Sequence, residues 1–173
     1  KNLIRKELGF SNNDFVFIFI GRLVNDKGLR ELADAMRRLE DENITIKLLL
    51  LGSLDGEDDV LAKDKLNYLM QSTNVKYVGS QSDIRPYLMA SDALVFPSYR
   101  EGFPNVPIEA GAMGLPTIVT NINGSNEIIK DGFNGRIISA PLNNNGIHVN
   151  DITNELYSTM KWFYNHPTEI ERM

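Results

Sequence analysis

Apolar runs alternate with amphipathic stretches along almost the whole chain. Residues 15–20, Phe-Val-Phe-Ile-Phe-Ile, are uniformly apolar and are closed by Gly21. A run with no polar alternation has no wet face, so it predicts a strand buried on both sides. From Gly28 the pattern changes: Leu29, Leu32, Ala33, Met36 and Leu39 recur at helical spacing as a one-face stripe. Further strands are predicted over 44–51, 75–78, 93–96, 117–120 and 135–138. Short helices are expected over 3–8, stopped by Gly9, and over 60–71. Asp83 is placed to cap a helix carrying Ile84, Tyr87 and Leu88, and 123–130 reads as a turn and short helix. Residues 141–150 are polar and loop-like, softest at Asn143-Asn144-Asn145-Gly146. A last helix over 152–164 offers Ile152, Leu156, Met160 and Phe163 as its buried face.

This alternation predicts one Rossmann-like α/β domain: a parallel sheet of about six strands with helices on both faces. Crossovers should be right-handed. Ligands of such sheets bind beyond the carboxyl ends of the strands. The candidates are therefore Gly21 and Arg22, Gly52 and Ser53, Gly79 and Ser80, Glu101 and Gly102, and residues 121–124.

Composition narrows the chemistry. The net charge of −5 argues against a dedicated nucleic-acid partner. With no cysteine, disulfides and thiolate metal sites are excluded, and the two histidines, His148 and His166, are too far apart in sequence to suggest an imidazole-rich site. No apolar run approaches a membrane span, and 46–51 is interrupted by Lys47. The start at Lys1 rather than Met, and the end at Met173, suggest a fragment of a longer protein. The acidic segment 55–59 could be taken for a metal site, but its place before a helix favours capping and solvation.

The chemistry concentrates in residues 99–116, Tyr-Arg-Glu-Gly-Phe-Pro-Asn-Val-Pro-Ile-Glu-Ala-Gly-Ala-Met-Gly-Leu-Pro. A helix should start near Asn105 and end at Gly114, with Pro116 beyond it. Its N-terminus faces the carboxyl end of the preceding strand and attracts anions. Glu101 and Glu109, with seven residues between them, are carboxylates in that place. A carboxylate can accept hydrogen bonds from two neighbouring hydroxyls, which suits a sugar. Equally, Glu109 could simply complement the helix dipole and Glu101 be a solvated loop residue. The loop after the first strand, 21–28, carries Arg22 and Lys27. A diphosphate there would meet both cations and the amides of Lys27, Gly28 and Leu29. The alternative is a solvated turn in which Asp26 pairs one of the cations. Neither the ATPase phosphate loop nor Gly-x-Gly-x-x-Gly is present.

Together, Gly-Arg-Leu-x-x-x-Lys-Gly after the first strand and Glu-Gly-Phe-x-x-x-x-x-Glu-Ala after the fourth resemble the retaining glycosyltransferases of family GT4, which have the two-domain GT-B fold. Val78-Gly79, Ala90-Ser91-Asp92, Gly114-Leu115-Pro116, Glu127-Ile128-Ile129 and Asp131-Gly132-Phe133-Asn134-Gly135 fit in the family's order, over 15–138. The closest likeness is to members that build bacterial capsule, O-antigen or similar polysaccharides. The resemblance implies a donor-binding C-terminal half over 1–173, the acceptor-binding half lying elsewhere. It gives Arg22 and Lys27 the diphosphate of a nucleotide-sugar, with UDP favoured, and makes them the stabilisers of the leaving group. Glu109 would hold the ribose, and Glu101 the donor sugar, helped by amides near Gly102 and Phe103. Gly21 and the backbone of Val78, Gly79 and Ser80 would line the donor site, Val78 to Ser80 facing the base. Arg22, Lys27 and Glu101 would thus be the catalytic groups of this half. Many members have glycine where this chain has Pro104, and Pro107 also lacks an amide donor. Contacts should then rest on Phe103, Asn105 and Val106. The resemblance implies no cofactor and no metal, the cation pair taking a metal's place. It also implies a glycan or lipid-linked acceptor, no nucleic acid, and a cytoplasmic protein that can associate with the inner face of the membrane. A non-catalytic nucleotide-sugar module, or a hydrolase or UDP-sugar epimerase of the same architecture, are the alternatives.

Overall fold

The computed structural model describes residues 1–54, 59–142 and 145–173. The predicted residues Asp55 to Asp58 and Asn143 to Asn144 lie outside them. Six strands, β1 (Phe15–Ile20), β2 (Ile46–Leu51), β3 (Val75–Gly79), β4 (Ala93–Phe96), β5 (Thr117–Thr120) and β6 (Gly135–Ile138), form one sheet in the order β3-β2-β1-β4-β5-β6. Every pairing is parallel. The uniform apolarity of β1 is explained by its two buried faces. Phe15, Phe17 and Phe19 enter one core cluster, and Val16, Ile18 and Ile20 enter the other.

The first layer holds α2 (Leu29–Asp41), α3 (Lys63–Gln71), α7 (Thr153–Asn165) and α8 (Pro167–Ile170). The second holds α1 (Asn2–Leu8), α4 (Arg85–Ala90), α5 (Asn105–Ala112) and α6 (Ser125–Ile128). The stripes read from the sequence are the buried ones: Leu29, Leu32, Ala33, Met36 and Leu39 of α2, and Leu156, Met160 and Phe163 of α7.

Some boundaries differ from the pattern. Strand β2 begins at Ile46, because Ile44 closes the end of α2 through its amide to Leu39 O, 2.9 Å. Helix α3 begins at Lys63 because Val60 is held as an antiparallel bridge to Val24. Helix α8 was not expected; Pro167, which needs no donor at a helix start, opens it. The N-cap of α4 is Ile84, so Asp83 lies one position before it, where it accepts from the Arg85 amide at 3.1 Å.

Candidate functional site

Strands β1 and β4 are neighbours, but the chain leaves β1 towards β2 and β4 towards β5. Their two loops therefore diverge and leave a crevice beyond their carboxyl ends. Residues 21–28 form one wall and 97–104 the other.

The first wall is a tight structure. Asn25–Lys27 is a 3-10 turn that the sequence reading missed. Lys27 N donates to Val24 O at 3.2 Å and Gly28 N to Asn25 O at 2.8 Å. The Lys27 and Gly28 amides, expected to face a diphosphate, are already used within the turn, which corrects that expectation for these two; the Leu29 amide has no acceptor among the described residues. Gly28 has φ 70°, and a Cβ there would lie 2.1 Å from Pro97 O. Both the backbone conformation and the close approach of the second wall require glycine. Asp59, the described end of the acidic segment, accepts from the Asp26 amide at 2.6 Å.

The walls are tied together by backbone and side chain. Tyr99 N and Ser98 Oγ both donate to Asp26 O, at 2.8 and 3.3 Å, and Thr120 Oγ1 of β5 holds the second wall by donating to Ser98 O. Gly124, at the start of α6, packs on Gly102: a Cβ there would lie 2.3 Å from Gly102 O. Asp26 does pair a cation, but it is Arg100, at 2.9 Å on the exposed rim, and neither Arg22 nor Lys27.

The central feature is the pair between Lys27 Nζ and Glu101 Oε1, at 2.5 Å. Their side chains are 18% and 15% exposed, so each is largely desolvated inside the crevice. Ser98 Oγ donates to the same oxygen at 2.7 Å. Among the described residues nothing binds Glu101 Oε2. An ammonium has three donors, so Lys27 keeps two for a ligand. The pair was not legible: the sequence suggests separate duties for two residues 74 positions apart. Arg22 is exposed, and among the described residues its guanidinium has no hydrogen bond or ion pair.

Pro104 is the N-cap of α5 and Pro107 its third residue, positions whose amides have no intrahelical acceptor, so both prolines are tolerated. The amides of Phe103, Asn105 and Val106 have no acceptor among the described residues. Phe103 is 61% exposed. Glu109, on the next turn of α5, is exposed, and among the described residues its carboxylate has no partner. Gly21, Val78, Gly79 and Ser80 lie on the same carboxyl edge. Gly21 N donates to Leu51 O, and Gly52 N donates to Gly79 O, both at 3.0 Å. Val78 O accepts from Gln81 Nε2 at 2.7 Å.

Behind the second wall lies a pair that the sequence did not reveal. Tyr99 is 5% exposed and donates its hydroxyl to Glu31 Oε1 of α2 at 2.5 Å. Arg30 donates to the same oxygen at 2.6 Å, and its guanidinium is held more firmly protonated by that bond. Burial, and then the Glu31 carboxylate, push the Tyr99 phenol well above its ordinary range. Glu31 is 1% exposed, and its Oε2 is buried without a partner among the described residues. An unmade bond of this kind costs about 1–3 kcal/mol.

Residues 1–148 match the model of the glycosyl transferases group 1 family. The chain belongs to that family. Capsular polysaccharide biosynthesis glycosyltransferase CapM of Staphylococcus aureus is 37% identical over 127 residues, covering 73% of this chain and 33% of that protein. UDP-Gal:alpha-D-GlcNAc-diphosphoundecaprenol alpha-1,3-galactosyltransferase of Escherichia coli is 36% identical over 141 residues, covering 79% and 36%. The chain thus spans about a third of the length of these relatives. Among solved structures, Anabaena Alr3699/HepE in complex with UDP-glucose superposes with a TM-score of 0.81 at 24% identity, covering 99% of this chain and 44% of that one. The fold is thus the Rossmann-like α/β architecture of group 1 glycosyltransferases of the GT-B type. Among the described residues no helix is long and apolar enough to cross a membrane.

Proposed function

We propose that this chain is the donor-binding half of a retaining GT4 glycosyltransferase that moves a sugar from a UDP-sugar to a glycan or lipid-linked acceptor in bacterial surface-polysaccharide synthesis. The acceptor-binding half lies elsewhere in the longer protein, which works in the cytoplasm and can associate with the inner membrane face. The observation that carries this reading is the asymmetry of the Glu101 carboxylate. Oε1 is fixed by Lys27 and Ser98, and Oε2 is left to accept from a ligand hydroxyl. The remaining donors of Lys27, the unpaired Arg22 and the open amides at the start of α5 together suit a diphosphate beside that hydroxyl. Glu109, exposed on α5, takes the ribose. The names of relatives support the substrate class: one is a capsular polysaccharide enzyme and another acts on a diphosphoundecaprenol-linked sugar. Structural neighbours hold UDP and UDP-glucose.

In transfer the bond between the anomeric carbon and the phosphate oxygen breaks, a bond to the acceptor oxygen forms, and the acceptor hydroxyl's proton passes to the departing diphosphate. Negative charge grows on the departing diphosphate, where Arg22 and Lys27 stabilise it most, as catalysis requires. No added cation is needed in this scheme, because the two side chains supply the positive charge. UDP should therefore raise the melting temperature without added metal, in step with about 2.7 kcal/mol of stabilisation at a hundredfold excess over Kd. GDP and ADP should do less. No shift with any nucleoside diphosphate at saturating concentration would overturn the reading.

A further inference from the structure

The donor-site reading leaves the buried pair behind the second wall without a role. Residues 98–101 point their side chains in two directions. Glu101 meets Lys27 in the crevice, and Ser98 donates to the same Glu101 oxygen. Tyr99 turns away into the α2 layer, where its ring also meets His148 edge-on at 5.0 Å. Its backbone amide is tied to Asp26 and its hydroxyl to Glu31, in the first turn of α2. The peptide two residues before Glu101 is thus fixed at two points, both belonging to the β1–α2 segment that carries Lys27.

The choice of Glu31 is unfavourable for stability alone. Three donors, Tyr99 Oη and Arg30 Nε and Nη2, converge on Oε1, while the equally buried Oε2 has no partner among the described residues. An apolar side chain would fill this place at lower cost. What a buried carboxylate adds is a short, charge-assisted bond that holds the phenol in one direction. Buried polar groups kept at such a cost call for a reason beyond packing.

We propose that Tyr99 and Glu31 are positioning residues: their bond fixes the 98–101 loop so that Glu101 Oε2 stands where it meets a hydroxyl of the donor sugar. The inference rests on the donor-site reading. It makes Tyr99 act through Glu101, and therefore on the sugar and not on the nucleotide.

Calorimetric titration of the intact protein with UDP and with UDP-glucose tests this, in wild type, Tyr99→Phe, Glu101→Gln and the double variant. Phenylalanine keeps the buried ring, and the melting temperature checks that the variants are folded. UDP affinity should be the same in Tyr99→Phe as in wild type. UDP-glucose should weaken about tenfold in Tyr99→Phe, about 1.4 kcal/mol. The double variant should bind it no more weakly than Glu101→Gln alone, because the two residues act as one unit. Equal losses for UDP and UDP-glucose in Tyr99→Phe, or losses that add in the double variant, would overturn the positioning role while leaving the donor site in place. Wild type that binds neither ligand would overturn the donor-site reading and this inference with it.

Discussion

Arg5 lies under the amino edge of the sheet and Arg22 over the carboxyl edge, and their surroundings are opposite. Arg5 is 2% exposed, and each nitrogen of its guanidinium is bound. Nε donates to Ala90 O at 2.8 Å, Nη1 to Asn12 O and Asp14 O at 3.1 and 2.9 Å, and Nη2 to Asp92 Oδ2 at 2.6 Å. Asp92 also takes Lys1 Nζ and the Val16 amide. The cluster joins α1 to the starts of β1 and β4, and little of it is left for a ligand. Arg22, the amides of Phe103, Asn105 and Val106, and one oxygen of Glu101 have no partner among the described residues. One edge uses its polar groups to hold the chain, and the other keeps polar groups in reserve. Burial alone does not distinguish them, since Lys27 and Glu101 are also largely buried. The degree of saturation does.

Variants can break this contrast. The largest effect belongs to the saturated edge. Arg5→Met should destabilise the fold by about 3–5 kcal/mol in urea denaturation, since it removes one partner of a buried ion pair. The folded fraction should bind UDP as wild type does. Next come the two glutamates. Glutamine keeps the size of the side chain but replaces one acceptor oxygen with a donor, at about 1.5–3 kcal/mol for a desolvated carboxylate. Glu109→Gln should weaken UDP and UDP-sugar alike, and Glu101→Gln only the UDP-sugar, by calorimetric titration of the full-length protein. If Glu101→Gln weakened both equally, the division of labour would be wrong.

Arg22→Ala and Lys27→Ala should each weaken UDP about tenfold and uridine very little. Arg22→Ala should leave stability within about 0.5 kcal/mol, as expected for an exposed side chain. Equal losses for uridine and UDP would mean that these cations act on folding. The smallest effect is expected at Asp83, whose exposed carboxyl is held below the ordinary range chiefly by hydrogen bonds from Arg85. A lowered folded pKa contributes stability that is present above the ordinary carboxylate pKa and is lost as pH falls through the folded value. Asp83→Asn should therefore melt slightly below wild type at neutral pH, and the difference should vanish at acid pH.

The sequence carried the scaffold well because the scaffold is periodic. The spans predicted for β4, β5 and β6 matched the strands residue for residue, each bounded by Pro or a polar residue. The α2 stripe matched because one helix face is buried along its length. The site was legible as two loops, since strand ends and motif spacing are local features. Its internal wiring was not. The Lys27–Glu101 and Tyr99–Glu31 bonds join residues 74 and 68 positions apart, and nothing in a single sequence marks them as neighbours. The 3-10 turn at Asn25–Lys27 was hidden for another reason: it depends on Asp59 and Pro97 closing around it.

The contrast between the edges is tested most directly by amide NMR of the protein titrated with UDP in the absence of added metal. The account predicts that the amides of Arg22, Phe103, Asn105 and Val106 shift in proportion to saturation, while those of Asn12, Asp14 and Ala90 beside Arg5 stay in place. Shifts centred on the Arg5 edge, or no shifts at the carboxyl edge at saturating UDP, would contradict it.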